Sequence, residues 1–408
     1  MKKSITIIVL AFLMVMNSYS QTAYITNQTD GTVSVIDIPT NTVTNTIPVG
    51  TGPTGVSVSP DGAKVYVTNG NDWTVSVINT ATHSVVSTIQ VGNGAKGVAV
   101  SPDGSKVYVG NWGANTISEI DAATNTVINT FASGNGPQGL IFSPDGSKLY
   151  VVNGTDYTLS VFNTSTNTLA TTIPVYNIPI DVAVSPDGTR LYVTNSSSST
   201  VSVIDAVNNI VLTNITLNIN HPQSIIISPN GARLYVSNYS GSQIWVINTT
   251  TNAIVTTIHV GTAPSGLSIT PDGSKVYVAC STDSSVYVIN TANNTVLDSV
   301  HVGNWPVAFG NFISTYPVIT TGISSQSNES PTISIYPNPA NSTITIQSQA
   351  ILFNSQLYIK DVIGREIYHQ PIINPTQTTI DVSNWSKGVY LLQIRNEKES
   401  VVRKIVIN

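Results

Sequence analysis

Lys64-Val65-Tyr66-Val67-Thr68-Asn69 is one copy of a pattern that returns along the whole first three-quarters of the chain. Tyrosine holds the same register at Tyr24, Tyr66, Tyr108, Tyr150, Tyr192, Tyr235 and Tyr277, at steps of 42 residues with a single step of 43. Around Tyr66 the unit divides into four runs of strand character, 64–68, 74–79, 85–91 and 97–101, each of a usual strand length. Gly-, Asn- and Asp-rich segments separate them and supply the positive φ or side-chain-to-backbone bonds of tight turns. Short turns make the runs an antiparallel meander, and a four-stranded unit repeated every 40–45 residues is a β-propeller blade.

The phase of the repeat predicts how the ring closes. Pro-Asp-Gly turns at Pro60, Pro102, Pro144, Pro186 and Pro271, with Pro229-Asn230-Gly231 as a variant, join a Gly-Val-Ala-Val-Ser type strand to the Tyr-Val-Thr-Asn strand. If the former is innermost, the chain enters at a second strand, at Ala23, and ends its last repeat on an unpartnered inner strand near 307–313. The two fragments complete one seventh blade and hide both loose edges. The expected fold is therefore all-β: a seven-bladed propeller closed by N- and C-terminal strands, then a small Ig-like sandwich.

Residues 22–314 resemble the YVTN family of β-propellers, carried by Tyr66-Val67-Thr68-Asn69, Val75-Ser76-Val77-Ile78-Asn79 and Ser101-Pro102-Asp103-Gly104 with close copies in most units. The resemblance implies the fold. It leaves function open, since related propellers include lactonase-like enzymes, redox-enzyme domains and binding modules.

The chain's ends address its destination. Lys2 and Lys3 precede an apolar run over 5–16 and a small, polar stretch to Ser20, the pattern of a secretory signal peptide over residues 1–20. The propeller is expected over 21–314 and a linker over 315–331. Period-free alternation then resumes over 332–408, in seven runs near 332–336, 342–347, 355–361, 365–369, 377–382, 388–395 and 400–407. This segment resembles the type A C-terminal sorting domain of type IX secretion substrates. The matching residues are Tyr336-Pro337-Asn338-Pro339-Ala340, Asp361-Val362-Ile363-Gly364-Arg365-Glu366, Gly388-Val389-Tyr390-Leu391-Leu392 and Lys404-Ile405-Val406-Ile407. The resemblance implies passage across the outer membrane by the type IX machinery, then removal of the domain with surface attachment or release.

Composition narrows the partners. Of 408 residues only 9% are charged, net charge is −5, and no stretch beyond the leader approaches a membrane span, so neither nucleic acid nor a transmembrane segment in the mature chain is expected. Residues 21–331 carry seven basic against sixteen acidic side chains, while 332–408 carry seven against five. Cys280 is the sole cysteine and reads as a small core residue. Neither a metal nor a cofactor is expected.

A repeat separates framework from function, because a residue shared by all blades serves the blade and one that breaks register is a candidate. Lys64, Lys106, Lys148, Arg190, Arg233 and Lys275 share one register and read as solubilising turn charges; Lys96 is the propeller's one basic residue outside it. Asp30, Asp72, Asp156 and Asp283 read as loop solubilisers or a ring of anionic tips. Asp181 replaces a residue that is glycine in four units, and Glu119 stands where six units have valine, on what reads as an exposed blade edge. His221 is the one histidine expected on the channel-face loops. Trp73, Trp112, Tyr157 and Tyr239 lie in second-to-third strand loops, and Tyr176 and Trp305 in loops entering inner strands, all expected on one face.

No acid, base and nucleophile assemble into a catalytic set, so no catalytic residue is assigned. The expected role is an exported binding module for a glycan or protein, with aromatic rings as anchors. Two alternatives remain: a lactonase-like hydrolase or lyase using Lys96, Asp181 and His221 at the channel mouth, and a structural surface-coat protein.

Overall fold

A computed structural model describes residues 21–217, 221–314, 333–336, 340, 342–348, 356–361, 365–371, 377–395 and 400–407. The expected leader (1–20) and linker (315–331) lie outside the described residues, as do Pro337, Asn338, Pro339 and Gly364 of the sorting motifs. Two compact units divide between Thr320 and Thr321. No helix among the described residues is long and apolar enough to cross a membrane.

The first unit is a seven-bladed propeller. Six blades are contiguous four-stranded meanders over 53–90, 95–132, 137–174, 179–216, 222–259 and 264–301, here blades 1 to 6. The strands Lys64–Asn69, Thr74–Asn79 and Ser84–Gln90 of blade 1 and Ala95–Val100, the inner strand of blade 2, match the runs read from the sequence to within two residues at each end. Blade 7 takes Thr22–Asn27, Thr32–Asp37 and Thr42–Pro48 from one end of the unit and its inner strand from the other. Ala23 pairs with Ile313 and Asn27 with Pro306; Tyr24 N donates to Phe312 O at 2.9 Å and Val307 N to Thr26 O at 3.0 Å.

The repeated hexapeptide explains its own recurrence. Its tyrosine is buried in the blade core, while its asparagine spans the hairpin: Asn69 Nδ2 donates to Thr74 Oγ1 at 3.0 Å and Ser76 Oγ at 2.9 Å, and Asn27, Asn111, Asn153 and Asn195 do the same in their blades. In blade 6 the position is Cys280, fully buried, with its thiol pushed up to about 12 by desolvation. Aspartate in each Pro-Asp-Gly turn caps the turn, as when Asp61 Oδ1 accepts from Ser59 Oγ and Ala63 N.

Three register positions differ in role from the sequence reading. Three of the six turn-following basic residues are latches between blades, while Lys106 and Arg190 pair with Glu119 and Asp205 of their own blades. Lys64 Nζ reaches Ala122 O and Asn125 Oδ1 of blade 2, Lys148 Nζ reaches Ala206 O of blade 4, and Lys275 Nζ reaches Ile38 O of blade 7. The loop aspartates are staples: the Asp72 carboxylate accepts from Thr51 N and Oγ1, Asp283 from Thr262 N and Oγ1, Asp156 from Asn135 N and Nδ2, and Asp30 from Asn304 N and Nδ2. Those bonds hold the Asp72 and Asp30 carboxyls below their ordinary range. Glu119 is not on an exposed edge. It is 2% exposed, paired with Lys106 Nζ at 2.5 Å and bonded to Tyr108 Oη at 3.1 Å and to Asn167 Nδ2 of the next blade at 2.6 Å.

The second unit has two sheets. Ile333–Tyr336, Thr343–Ser348 and Gln377–Asp381 form one; Glu366–Pro371, Gln356–Asp361, Gly388–Arg395 and Ser400–Ile407 form the other. Ile344, Ile346 and Ile380 of the first pack with Leu357, Ile359, Leu392, Ile394 and Ile405 of the second, the core of a small sandwich. Two of the expected motifs have visible roles here. Tyr390 is buried beside Trp385, with its hydroxyl on Ser386 O at 2.7 Å, and Arg365 turns back on Asp361 through N and Nε.

Candidate functional site

Inner strands of adjacent blades pack backbone against backbone, and this sets where a side chain fits at the channel. A Cβ on Gly55 would lie 2.2 Å from Lys96 O, and one on Gly97 only 2.0 Å from Gln138 O. Glycine is required there because contact between strands leaves no room for a methyl. Blades 4 and 5 depart from the rule together: Asp181 and Ser224 occupy the glycine register, and Ser224 Oγ donates to Asp181 Oδ2 at 2.8 Å. Ile225 N also donates to Oδ2 at 3.2 Å, and Val182 N to Oδ1 at 2.9 Å.

The closing strand shapes the channel. Between the pairs Pro306 with Asn27 and Ile313 with Ala23 it runs eight residues, where blade 1 uses six between Pro53 with Asn69 and Val58 with Val65. The two extra residues bulge at Phe309-Gly310, with Gly310 at φ 107°. Phe309 still pairs with blade 1, since its carbonyl accepts from Val56 N at 2.7 Å. Phe309, Val307 and Ile180 form a buried apolar cluster.

Two cavities adjoin this cluster. A small vestibule is lined by Lys96, Gln138, Ile180, Asp181, Phe309 and neighbouring backbone. A larger well of about 550 Å³ is lined by the remaining halves of the inner strands and reaches Pro60, Pro102 and Pro144 of the Pro-Asp-Gly turns. Asp181 lines both. In the vestibule Lys96 Nζ donates to Gln138 Oε1, and Gln138 Nε2 donates to Pro179 O at 3.3 Å.

Burial moves both titratable groups toward neutrality. Desolvation lowers the Lys96 ammonium to about 8 and raises the Asp181 carboxyl to about 6, the latter against the three hydrogen bonds that oppose it. An acid whose folded pKa is raised keeps its proton in the folded state over a range where the unfolded chain has lost it. Stability from this group is therefore greatest below about pH 4 and falls as pH rises through about 6. A two-unit shift corresponds to at most ~3 kcal/mol, an upper bound for a half-buried group. Urea denaturation across pH 4 to 7 should show this slope in the wild type and a flatter profile in Asp181→Asn. Parallel profiles would place the carboxyl in water.

The aromatic-bearing loops join strands at the end opposite the Pro-Asp-Gly turns. Trp73, Trp112, Tyr157, Tyr176 and Trp305 are exposed there, Tyr239 is half-buried, and His221 is exposed with Nδ1 2.6 Å from Ser240 Oγ. Lys96 and Asp181 share the vestibule, whereas His221 does not line it. The three do not make one catalytic group.

Backbone geometry adds a signal that a search for aromatic and titratable residues misses. One position, four residues past the repeated asparagine, has positive φ in six blades; it holds Gly31, Asn115, Ser199 and Ser284 but also Trp73 and Tyr157, both at 58°. A second position, just before each inner strand, holds Gly52, Gly94, Gly136 and Ala263, but also Ile178 at 51°, His221 at 61° and Trp305 at 57°. The left-handed region costs a non-glycine residue of order 1 kcal/mol and more for a β-branched one. Ile178, 39% exposed, belongs with the aromatic face although nothing chemical singled it out.

This is the architecture of an exported seven-bladed propeller with a secretion tail, and the comparisons with known proteins agree. A profile described as a seven-bladed β-propeller lactonase matches residues 11–300, and the secretion system C-terminal sorting domain matches residues 334–408. The chain belongs to the seven-bladed β-propeller lactonase family. No curated protein matches it. Among solved structures, Kuenenia stuttgartiensis hydrazine synthase aligns over 66% of this chain and 92% of that one at 23% identity and a TM-score of 0.60. A putative 6-phosphogluconolactonase from Bacteroides uniformis aligns over 71% and 98% at 20% identity and 0.61, and a functionally unknown Desulfotomaculum acetoxidans protein over 71% and 100% at 16% and 0.62. At these identities the likeness is one of fold. The sorting domain makes this a protein secreted across the outer membrane.

Proposed function

We propose that the protein is a binding module, displayed at the cell surface or released, whose loop face recognises a glycan or a protein surface. The observation that carries this reading is the placement of Trp73, Tyr157, Ile178, His221 and Trp305 in left-handed backbone positions where other blades hold glycine or small residues. Strain of this kind brings the fold no benefit, and it gathers at sites of function. The vestibule lined by Lys96, Gln138 and Phe309 is small, which favours surface recognition over a deep catalytic cleft. On the same reading the mature chain lacks residues 1–20 and, after passage, residues 332–408.

Glycan-array and pull-down screening of the secreted protein would identify the ligand, and substitutions then test the face. Trp73→Gly and Trp305→Gly are expected to weaken binding by about 1–3 kcal/mol each and to leave thermal stability unchanged or slightly raised, by up to ~1 kcal/mol. Lowered stability with undiminished affinity would show that the rings are caps on the blades.

A second reading follows from Lys96, Gln138 and Asp181 sharing the vestibule in a chain of the lactonase family. It has a lactone entering from the loop face, with Lys96 polarising its carbonyl. Lactone hydrolysis abolished in Lys96→Met would establish that reading over the first.

A further inference from the structure

The well on the Pro-Asp-Gly side of the ring shares Asp181 with the vestibule and is otherwise outside both readings, and its chemistry is one-sided. Its wall is largely aliphatic, from Val100, Ile141, Val184, Ile226, Ile227 and Ile269 among others, with the neutral polar side chains of Ser57, Ser143, Ser268 and Asn311 between them. Asp181 is the one charged residue lining it among those described. The carboxylate stands beside Ser224 and Gly310, at the end of the well that the Phe309 cluster adjoins, while prolines of the turns stand at the other end. Its volume of about 550 Å³ is within the range of small-molecule sites.

Asp181 also lacks a counter-ion. Lys106 with Glu119, Arg190 with Asp205 and Arg365 with Asp361 are the ion pairs among the described residues, and Asp181 is in none. Its three hydrogen bonds come from Ser224 Oγ, Ile225 N and Val182 N, which fix the orientation of the carboxylate without supplying a positive charge. Oδ1 accepts only one of them. Replacing glycine by aspartate at this register puts a charge where four other blades keep bare backbone, and buried carboxylates are normally matched by a cation.

We propose that the well is a second binding site, for a small amphiphilic cation whose ammonium group meets Asp181 and whose apolar chain lies along the aliphatic wall. Charge sets the polarity of entry. The tail of such a ligand remains toward the turn face, and an acid of the same length is repelled by the same carboxylate. Lys96, the only other titratable residue lining either cavity among those described, lines the vestibule and not the well, so a cation in the well meets Asp181 with no ammonium on its own wall.

The test uses the full secreted chain with n-hexylammonium as probe and hexanoate as its anionic counterpart, followed by isothermal titration calorimetry at pH 7.5 and pH 4.5. Hexylammonium is expected to bind saturably at pH 7.5, at least tenfold more tightly than hexanoate, and to weaken at pH 4.5 as Asp181 takes up a proton. Asp181→Asn should lose at least tenfold in affinity at pH 7.5, and Ile226→Trp, which fills the well without touching the carboxylate, should lose binding too. Trp73→Gly should bind the amine as wild type does, so failure of the loop-face reading and of this one are separable. Absence of saturable amine binding, equal binding of hexanoate, or unchanged affinity in a folded Asp181→Asn protein would each overturn the proposal. Thermal melts of both well variants establish that they are folded.

Discussion

A chain that stops at Asn304 is expected to lose the cooperative fold, whereas one that stops at Ser314 keeps it. The ten residues between them contribute Val307, Ala308, Phe309, Phe312 and Ile313, all buried, to the innermost layer. They also carry the hydrogen bonds from Tyr24 N to Phe312 O, from Gln28 N to Trp305 O and from Val58 N to Asn311 O, which join blade 7 to itself and to blade 1. Burying four large apolar side chains at about 1.5–3 kcal/mol each amounts to order 10 kcal/mol, comparable with the whole net stability of a typical domain. The shorter chain also exposes the edge of Thr22–Asn27, a ready template for pairing between molecules. Urea denaturation and size-exclusion chromatography of the two chains check this. A monomeric short chain with an unchanged midpoint would mean that blade 7 closes some other way.

Deletion of residues 332–408 is the second large effect, and it acts on destination instead of stability. The sorting domain occupies 334–408, and the buried clusters of the propeller, among the described residues, are built from residues 23–313. The truncated protein should therefore fold, and cell fractionation should find it in the periplasm, with none outside the outer membrane. Secretion of the truncated chain at the wild-type level would separate the domain from export. Intact mass of the exported wild type should lack both this domain and about 20 N-terminal residues, as a cleaved secretory leader requires.

The repeat made the fold legible because it fixes both strand content and phase. The Pro-Asp-Gly turns identify the inner strand, and that assignment alone predicts that Ala23 and Ile313 belong to one sheet, as they do. Departures from the repeat were visible too, but their surroundings were not. Glu119 broke a run of six valines, yet its burial depends on Asn167, contributed by a turn of the neighbouring blade. The basic residues after each turn shared a register that reads as solvent charge, and their carbonyl partners lie 58 residues on in two cases.

The loop face was half legible. Tryptophan and tyrosine announced themselves by type, while Ile178 is significant only through its φ, which is inferred by comparing its register with Gly52, Gly94 and Gly136. The bulge of the closing strand was hidden for a different reason. Phe309-Gly310 adds two residues to a strand that pairs with both ends of Thr22–Asn27 and with blade 1, so the insertion appears only once the partners are known.

Closure by distant segments also sets the timing of folding. Six blades are contiguous in sequence and each is able to form as soon as its own residues are free, but Thr22 and Ser314, bonded to each other, are 292 residues apart. Bringing such distant ends together costs only about 2 kcal/mol more than closing a loop of ~20 residues, yet pairings of this range are the slow ones. The three N-terminal strands of blade 7 therefore wait for its last strand to arrive. A chain that has not yet closed shows an open strand edge for that whole interval, and such an edge is a template for pairing with other chains.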